Sequence, residues 1–231
     1  MIIEHKGNIF TTKAETIVNT INCVGVMGAG IAYEFRLRYS DMYNKYVDLC
    51  NQKQLDIGKL WIYKSEDKKV LNFPTKKHWR YPTKEEYLHR GLEKFVDTYR
   101  QKGINSIAFP LLGANKGGLN EDIVLSIMYQ YLSKCDIDVE IWHFDPTAKD
   151  DLFEKFVATI QEYDLEYLKK ETSIRKDTLQ KIIDATSRDN INSLSSLLGV
   201  KGVGDKSLEK LFEYIIQKKD DLTLFDFQNI N

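Results

Sequence analysis

The chain has 231 residues, of which 42% are hydrophobic and 29% charged, and its formal net charge is −1 at pH 7. This length suits one domain of ordinary size with a small appendage, and the apolar fraction is sufficient for a buried core. The nearly balanced charge excludes a global basic field that would attract nucleic acid, but a local basic patch could still bind nucleic acid.

The cysteines, histidines and apolar runs exclude several further classes. Cys23, Cys50 and Cys135 are odd in number and lack CxxC spacing, which predicts reduced thiols rather than a disulfide framework or a zinc site. The four histidines show no metal-ligand spacing. No apolar run approaches the roughly 20 residues of a membrane span, and the N-terminus lacks the pattern of a signal peptide. We therefore expect a cytoplasmic protein without a metal or a cofactor.

The first part of the chain alternates strand-like and helix-like segments. Strands are predicted at residues 1–4, 16–22, 59–63, 70–73, 106–111 and 139–144, and helices at 31–50 (one or two), 83–101 and 121–133. Thr83, followed by Glu86 three residues later, fits a capping box at the start of the second of these helices. This alternation predicts a three-layer α/β domain with a central mixed, mostly parallel sheet.

The composition changes near residues 145–151, and everything after this point is predicted to be helical. Residues 151–171 form a strong amphipathic helix candidate, and shorter helical pieces are predicted at 179–185, 194–198 and 208–217. We therefore predict an α/β domain at residues 1–148 and a small, all-helical C-terminal region at residues 149–231.

A glycine-rich turn between residues 18 and 32 is the most informative feature of the sequence. An apolar strand runs into the turn at Gly25–Gly30, and a helix follows. Such a turn aims backbone N–H groups and a helix N-terminus at one point, which favours a phosphate-bearing ligand. The pattern is not GxGxxG, so the dinucleotide-binding fingerprint is absent. Asn22, just before the turn, is expected at the strand's carboxyl end, where open α/β sheets place ligands.

A second glycine-rich turn, Leu112–Gly118, follows another buried strand. Two turns of this kind at neighbouring strand ends could face one pyrophosphate from both sides. The alternative is that the glycines serve only to make tight turns.

The segment Phe73–Arg80 combines cations with an aromatic side chain at a predicted strand end. Lys76 is the candidate reactive residue, because a lysine beside a phosphate site can act as a charge clamp, an acid–base group or a nucleophile. Trp79 with Arg80 suits stacking on a nucleic-acid base. The alternative is an ordinary solvated basic loop.

A turn at Val200–Leu208 lies between two predicted helices and resembles a helix–hairpin–helix motif. Gly202 and Gly204 would expose backbone N–H groups to a nucleic-acid phosphate, and Lys201 and Lys206 would add charge. A simple helix-to-helix turn is the alternative. Motifs of this kind often occur in pairs, and only one is visible here.

Four motifs in order carry a family resemblance, namely KGNIF, VNTINCVGVMGAGIA, NFPTKKHWR and FPLLGANKGGL. Over residues 1–145 the chain resembles the macrodomain family and is most similar to its DarG-type DNA ADP-ribosyl glycohydrolase antitoxins, which are related to ALC-like hydrolases. The resemblance implies a six-stranded mixed sheet between helices and a cleft for ADP-ribose.

The resemblance also implies roles for individual residues. Asn22, near the distal ribose, and Lys76, in FPTK, match catalytic positions of the DarG-type branch. Matching positions for ADP-ribose binding are Asn8 and Ile9 at the adenine end, Met27, Gly28, Ala29, Gly30 and Ile31 in the first loop, Thr75 beside Lys76, and Leu112, Gly113, Ala114, Asn115, Lys116, Gly117 and Gly118 in the second. Many macrodomains carry an aspartate in place of Asn8, and some relatives pair the lysine with an acidic residue that residues 115–118 lack.

The implied function is removal of ADP-ribose from bases of DNA, with thymine in single-stranded DNA as the expected substrate. ADP-ribose would be the product, and a DarT-like DNA ADP-ribosyltransferase toxin the expected partner. Two alternatives remain open from the sequence: a non-catalytic reader of ADP-ribose or modified nucleic acid, and a protein that neutralises a toxin by docking to it.

Overall fold

The computed structural model describes residues 1–148, 150–188 and 190–226 of the chain, and its side chains up to residue 217. Contacts within the chain define two compact units, Met1–Asp145 and Pro146–Asn231. The predicted boundary after residue 148 lies close to this division, and its meaning as a functional domain boundary stays a prediction.

The first unit is built on a six-stranded sheet with the order β1-β6-β5-β2-β4-β3. Neighbouring strands are parallel except β3, which pairs antiparallel with β4. The strands are β1 (Ile2–Gly7), β2 (Thr16–Asn22), β3 (Trp61–Lys64), β4 (Lys69–Lys76), β5 (Ser106–Pro110) and β6 (Asp138–Phe144). The predicted mixed, mostly parallel sheet is confirmed.

Helices cover both faces of this sheet. They are α1 (Gly30–Arg38), α2 (Ser40–Asn51), α3 (Glu85–Thr98) and α4 (Glu121–Leu132). Alternate residues of β2 belong to different clusters: Val18 packs with Leu88 and other residues of α3 and α4, whereas Ile17 packs with Phe35 and Tyr46 of α1 and α2. This alternation makes the sheet the middle of three layers.

Two helix predictions for the first unit have different outcomes. The segment at 31–50 forms two helices that meet at Tyr39. The prediction of a capping box at Thr83 is wrong, because α3 begins at Glu85 and its N-cap residue, Lys84, makes no side-chain cap bond. Thr83 is instead fixed elsewhere: its backbone N–H donates to the carbonyl of Gly117 at 2.9 Å.

The second unit is helical in the part that the structure describes. Its α-helices are α5 (Asp151–Glu162), α6 (Leu165–Thr172), α7 (Lys176–Ala185) and α8 (Asp205–Asp226). The single helix predicted at 151–171 is wrong, because Tyr163 is extended and the Asp164 carboxylate accepts from the N–H of Tyr167 at 2.8 Å, which caps a new helix. The piece predicted at 194–198 is a 3₁₀ helix, Ser195–Gly199.

Within the described residues, no helix combines the length and apolarity needed to cross a membrane. The same residues contain no group of three or more His, Cys, Asp or Glu side chains that could hold a metal ion. All three cysteines are free thiols.

Candidate functional site

The two residues predicted to be catalytic end neighbouring parallel strands. Asn22 ends β2 and Lys76 ends β4, and a register shift after Ile21 makes them direct partners: Ile21 pairs with Pro74, but Asn22 pairs with Lys76. The irregularity therefore leaves Thr75 outside the ladder and aligns the two polar residues at the carboxyl edge of the sheet.

The Asn22 side chain organises the turn that follows it. Its amide oxygen accepts from the N–H of Val24 at 3.0 Å and from the Tyr46 hydroxyl at 3.0 Å, while its amide nitrogen donates to the carbonyl of Val26 at 2.5 Å. Asn22 is 7% exposed. The side chain thus shapes the first loop, and its predicted contact with a ribose stays a prediction.

The first loop leads directly into an uncapped helix. Ala29 is the N-cap residue of α1 and, among its described contacts, makes no side-chain cap bond. Gly30, at φ +58°, allows the sharp entry into the helix. The first N–H groups of a helix have no partner within it. These donors and the positive end of the helix dipole therefore favour an anion here.

The second loop is closed by bonds within itself. The N–H of Gly117 donates to the carbonyl of Ala114 at 2.7 Å, and that of Leu119 donates to the carbonyl of Gly113 at 3.1 Å. The helix that follows, α4, is capped by Asn120, whose side-chain oxygen accepts two backbone N–H groups. This loop consequently differs from the first in how its donors are used.

Lys76 and both loops meet at one place. A Cβ atom added to Gly30 would lie 3.7 Å from Cγ of Lys116, so the start of α1 adjoins the second loop. The Lys76 ammonium donates to the carbonyl of Lys116 at 2.7 Å. Partial burial lowers the pKa of Lys76, because desolvation disfavours the charged form. Among the described residues, the Lys76 ammonium donates to a carbonyl and not to a carboxylate.

The predicted adenine end lies where β1 leaves the sheet. The Asn8 side chain accepts from the N–H of Phe10 at 3.0 Å and caps a 3₁₀ turn, while Ile9 is buried in the core. Gly7 pairs with Phe144 at the end of β6, and the Phe144 side chain is 70% exposed. Because Gly7 directly precedes Asn8, this exposed aromatic side chain is a candidate contact for a flat ring, which the sequence reasoning missed.

Several predicted ligand-binding residues have buried side chains and could meet a ligand only through their backbone. These are Met27, Thr75, Leu112 and Ala114, whereas Gly28 and Ala29 are exposed. Asn115, at φ +46°, holds a left-handed conformation that only a few residue types adopt readily. Gly118 lies in the second loop and Ile31 in the first turn of α1, as expected. Their contact with a ligand stays a prediction.

An exposed aromatic and basic cluster follows Lys76 along the chain. The Arg80 guanidinium lies 4.7 Å from the ring centroid of Trp79, on which His78 stacks at 5.7 Å. Trp79 is 47% exposed and Tyr81 67%. Tyr81 is a further stacking candidate that the sequence reasoning missed, although an aromatic residue so near Trp79 was a usable signal.

The predicted hairpin motif of the second unit joins the 3₁₀ turn to α8. Gly202 has φ +91°, and Lys201, Gly204 and Lys206 are exposed. A Cβ atom added to Gly202 would lie 3.0 Å from Nζ of Lys181 on α7. The fold therefore brings a third lysine to this turn, which no sequence motif indicated.

Fold and site together define a three-layer α/β protein in which two glycine loops and Lys76 meet at the carboxyl edge of the sheet. The Macro domain family model matches residues 18–128. The macrodomain of Mycobacterium tuberculosis DarG is 38% identical, with a TM-score of 0.60, over 62% of this chain and 97% of that one. The chain therefore belongs to the macrodomain family.

Two further relatives bear on function. A Thermus aquaticus protein named DNA ADP-ribosyl glycohydrolase is 38% identical over 61% of this chain and 40% of its own length. The structure of Thermosipho africanus DarTG in complex with ADP-ribose is 34% identical, with a TM-score of 0.57, over 60% of this chain and 40% of that one. The chain thus spans about two fifths of the first curated relative that it matches.

Proposed function

We propose that this chain is a DNA ADP-ribosyl glycohydrolase that removes ADP-ribose from a modified DNA base. The observation that carries the proposal is that the uncapped start of α1, the second loop and Lys76 meet at the carboxyl edge of the sheet. The names of the relatives support the substrate class, since they include DNA ADP-ribosyl glycohydrolases.

The elements suggest how ADP-ribose would lie. Its diphosphate would take the N–H groups at the start of α1, and its adenine would reach Asn8 and the exposed Phe144. The distal ribose, whose C1″ is bonded to the base, would then lie near Asn22 and Lys76. In this arrangement the second loop, which adjoins the start of α1, would lie beside the diphosphate with its predicted positions Gly113–Gly118.

Two roles for Lys76 are compatible with the chemistry of the bond. In the first, the ammonium donates a proton to the base as the bond from C1″ to the base breaks, water adds its hydroxyl to C1″, and the remaining proton of water returns to the Lys76 amine. In the second, the neutral amine forms a bond to C1″ as the bond from C1″ to the base breaks, and the base leaves with the proton that the amine releases. The ribose ring then opens to give an imine with Lys76, which water hydrolyses. The lowered pKa of Lys76 increases the neutral fraction that the second role needs. Borohydride would reduce the imine to a stable secondary amine, and would therefore trap ribose on Lys76 only in the second role.

The decisive assay measures free ADP-ribose released from a single-stranded oligonucleotide that carries ADP-ribosylated thymine. ADP-ribosylated guanine and ADP-ribosylated protein serve as parallel substrates. We expect Lys76→Ala to reduce the rate about a hundred-fold or more, because the substitution removes the group that reacts in either role. Lys77→Ala is the matched control, because it removes a neighbouring cation and leaves intact the Lys77 carbonyl that accepts from the N–H of Cys23.

A non-catalytic reader is the second candidate function. It is favoured by residues 115–118, which contain no carboxylate that could pair with Lys76 or activate water. The same oligonucleotide separates the two candidates: binding without release of ADP-ribose by the wild-type protein supports the reader and contradicts the hydrolase.

The wider setting follows from the proposed activity. A hydrolase of this kind would act in the cytoplasm as an antitoxin to a DarT-like DNA ADP-ribosyltransferase. The region from residue 149 would bind DNA or the toxin. Co-purification of the toxin with Lys76→Ala would indicate docking that does not depend on catalysis.

We further propose that Trp79 and Arg80 contact the nucleic acid beside the reacting base, and that Lys201, Gly202, Gly204 and Lys206 contact its backbone. Replacing Lys201 and Lys206 with Gln should flatten the salt dependence of binding to unmodified single-stranded DNA by about 1.4 in log–log slope, at about 0.7 per lost phosphate contact. Lys210→Gln is the matched control on α8, because its ammonium already donates to the carbonyl of Ser173 at 2.8 Å. An unchanged slope in the double variant would assign this turn a structural role.

A further inference from the structure

Thr83 occupies an unusual place between β4 and α3. The residue is 4% exposed, and its N–H donates to the carbonyl of Gly117. Its hydroxyl oxygen is buried and, among the described residues, has no hydrogen-bond partner. A buried hydroxyl without a partner is unfavourable, so the position of this side chain needs a reason other than its polarity.

The Thr83 side chain fills the space that two glycines of the second loop leave open. A Cβ atom added to Gly113 would lie 2.6 Å from Cγ2 of Thr83, and one added to Gly117 would lie 2.9 Å from its hydroxyl oxygen. Both distances are shorter than real side chains allow. Thr83 therefore acts as a wedge that fits this loop by shape.

The wedge is one residue away from the acceptor of Lys76. The carbonyl of Gly117 accepts from the N–H of Thr83, whose side chain packs closely against this glycine. The preceding carbonyl, that of Lys116, accepts from the Lys76 ammonium at 2.7 Å. A shift of Gly117 would move this carbonyl, because the Lys116 C=O and the Gly117 N–H belong to the same planar peptide group.

We infer that Thr83 is a positioning residue, which holds the second loop so that the Lys116 carbonyl fixes the Lys76 ammonium beside the start of α1. The effect on catalysis depends on the proposed function, since it needs Lys76 as the reacting group. The positioning itself is a property of the protein without ligand and can be measured separately.

The first test measures the pKa of the Lys76 ammonium by NMR of lysine-labelled protein, with Lys76→Arg to assign the signal. Thr83→Ala removes the wedge, and we expect the pKa of Lys76 to fall further, by about half a unit or more, because the carbonyl stabilises the charged form. Thr83→Val keeps the shape and removes only the unpartnered hydroxyl, and should leave the pKa of Lys76 as in the wild type. Equal pKa values in the Thr83→Ala variant and the wild type would overturn the inference.

The second test follows release of ADP-ribose. Thr83→Ala should lower kcat about ten- to a hundred-fold and shift the pH profile of kcat. Thr83→Val should have the kcat and the pH profile of the wild type. If Thr83→Ala does not fold, Thr83→Ser, which lacks only Cγ2 beside Gly113, replaces it with the same expected directions. If the wild-type protein releases no ADP-ribose but Thr83→Ala still lowers the pKa of Lys76, the proposed function is refuted and the positioning role of Thr83 stands. A lower kcat with an unchanged pH profile and pKa would mark Thr83 as merely structural.

Discussion

The two glycine loops occupy equivalent places at strand ends, yet they are built in opposite ways. The first is organised from inside by the Asn22 amide and opens into α1, whose N-cap residue, Ala29, makes no side-chain cap bond. The second closes on its own backbone, rests on Thr83 and leads into α4, which Asn120 caps.

This difference indicates that the two loops have different roles. The first presents N–H donors, which suit the oxygens of a diphosphate. The second presents an acceptor, the Lys116 carbonyl, to a lysine whose pKa is lowered by partial burial. One loop would then hold the ligand while the other holds the reacting group.

The largest effect that can separate the loops is expected from Gly113→Ala. Gly113 has φ +72°, and an added Cβ would clash with Thr83. Overpacking of this kind costs about 1–3 kcal/mol, and the left-handed backbone adds about 1–2 kcal/mol. We expect a loss of about 3 kcal/mol in the free energy of unfolding, measured by urea denaturation.

Gly118→Ala is the matched control for this prediction. Gly118 has a similar φ of +85°, but an added Cβ would meet nothing within 4 Å. Its cost should be the backbone strain alone, about 1–2 kcal/mol. The additional loss at Gly113 should shrink when Thr83 is replaced with Ala. Equal losses at the two glycines would contradict the role of Thr83 as a wedge.

Much of the fold was accessible from the sequence because local patterns agreed with the tertiary structure. The strand at 16–22 and the glycine turn after it are signalled by an apolar run and by residues with special backbone freedom. The capping box at Thr83 failed because a tertiary bond, from its N–H to Gly117, outweighed a local capping preference. The break at Tyr163 was missed because apolar periodicity continues across it, and only the Asp164 cap marks the new helix.

The site was accessible only in outline. The motifs placed Asn22, Lys76 and both loops at strand ends, but the register shift that makes Asn22 and Lys76 partners depends on long-range pairing. Phe144 and Lys181 gave no motif, since their importance lies in what the fold places beside them. Distances between remote segments are set by packing, which a single sequence does not encode locally.

The smallest effect that would sharpen the comparison comes from capping the first loop's helix. Ala29→Asp supplies an N-cap carboxylate to α1, and its extended backbone, at φ −158°, suits such a cap. The free energy of unfolding should rise by about 0.5–1 kcal/mol. The affinity for ADP-ribose, measured by calorimetry, should fall about ten-fold, because the carboxylate takes the donors and repels the diphosphate.

Ala29→Ser separates the two causes, since it caps the helix without adding charge. It should stabilise the protein by a similar amount and weaken ADP-ribose binding less than Ala29→Asp does, with the difference between the two variants shrinking at high salt. If Ala29→Asp stabilises the protein but leaves the affinity for ADP-ribose unchanged, the diphosphate does not lie at the start of α1. The second loop would then have to supply the anion site as well as the acceptor for Lys76.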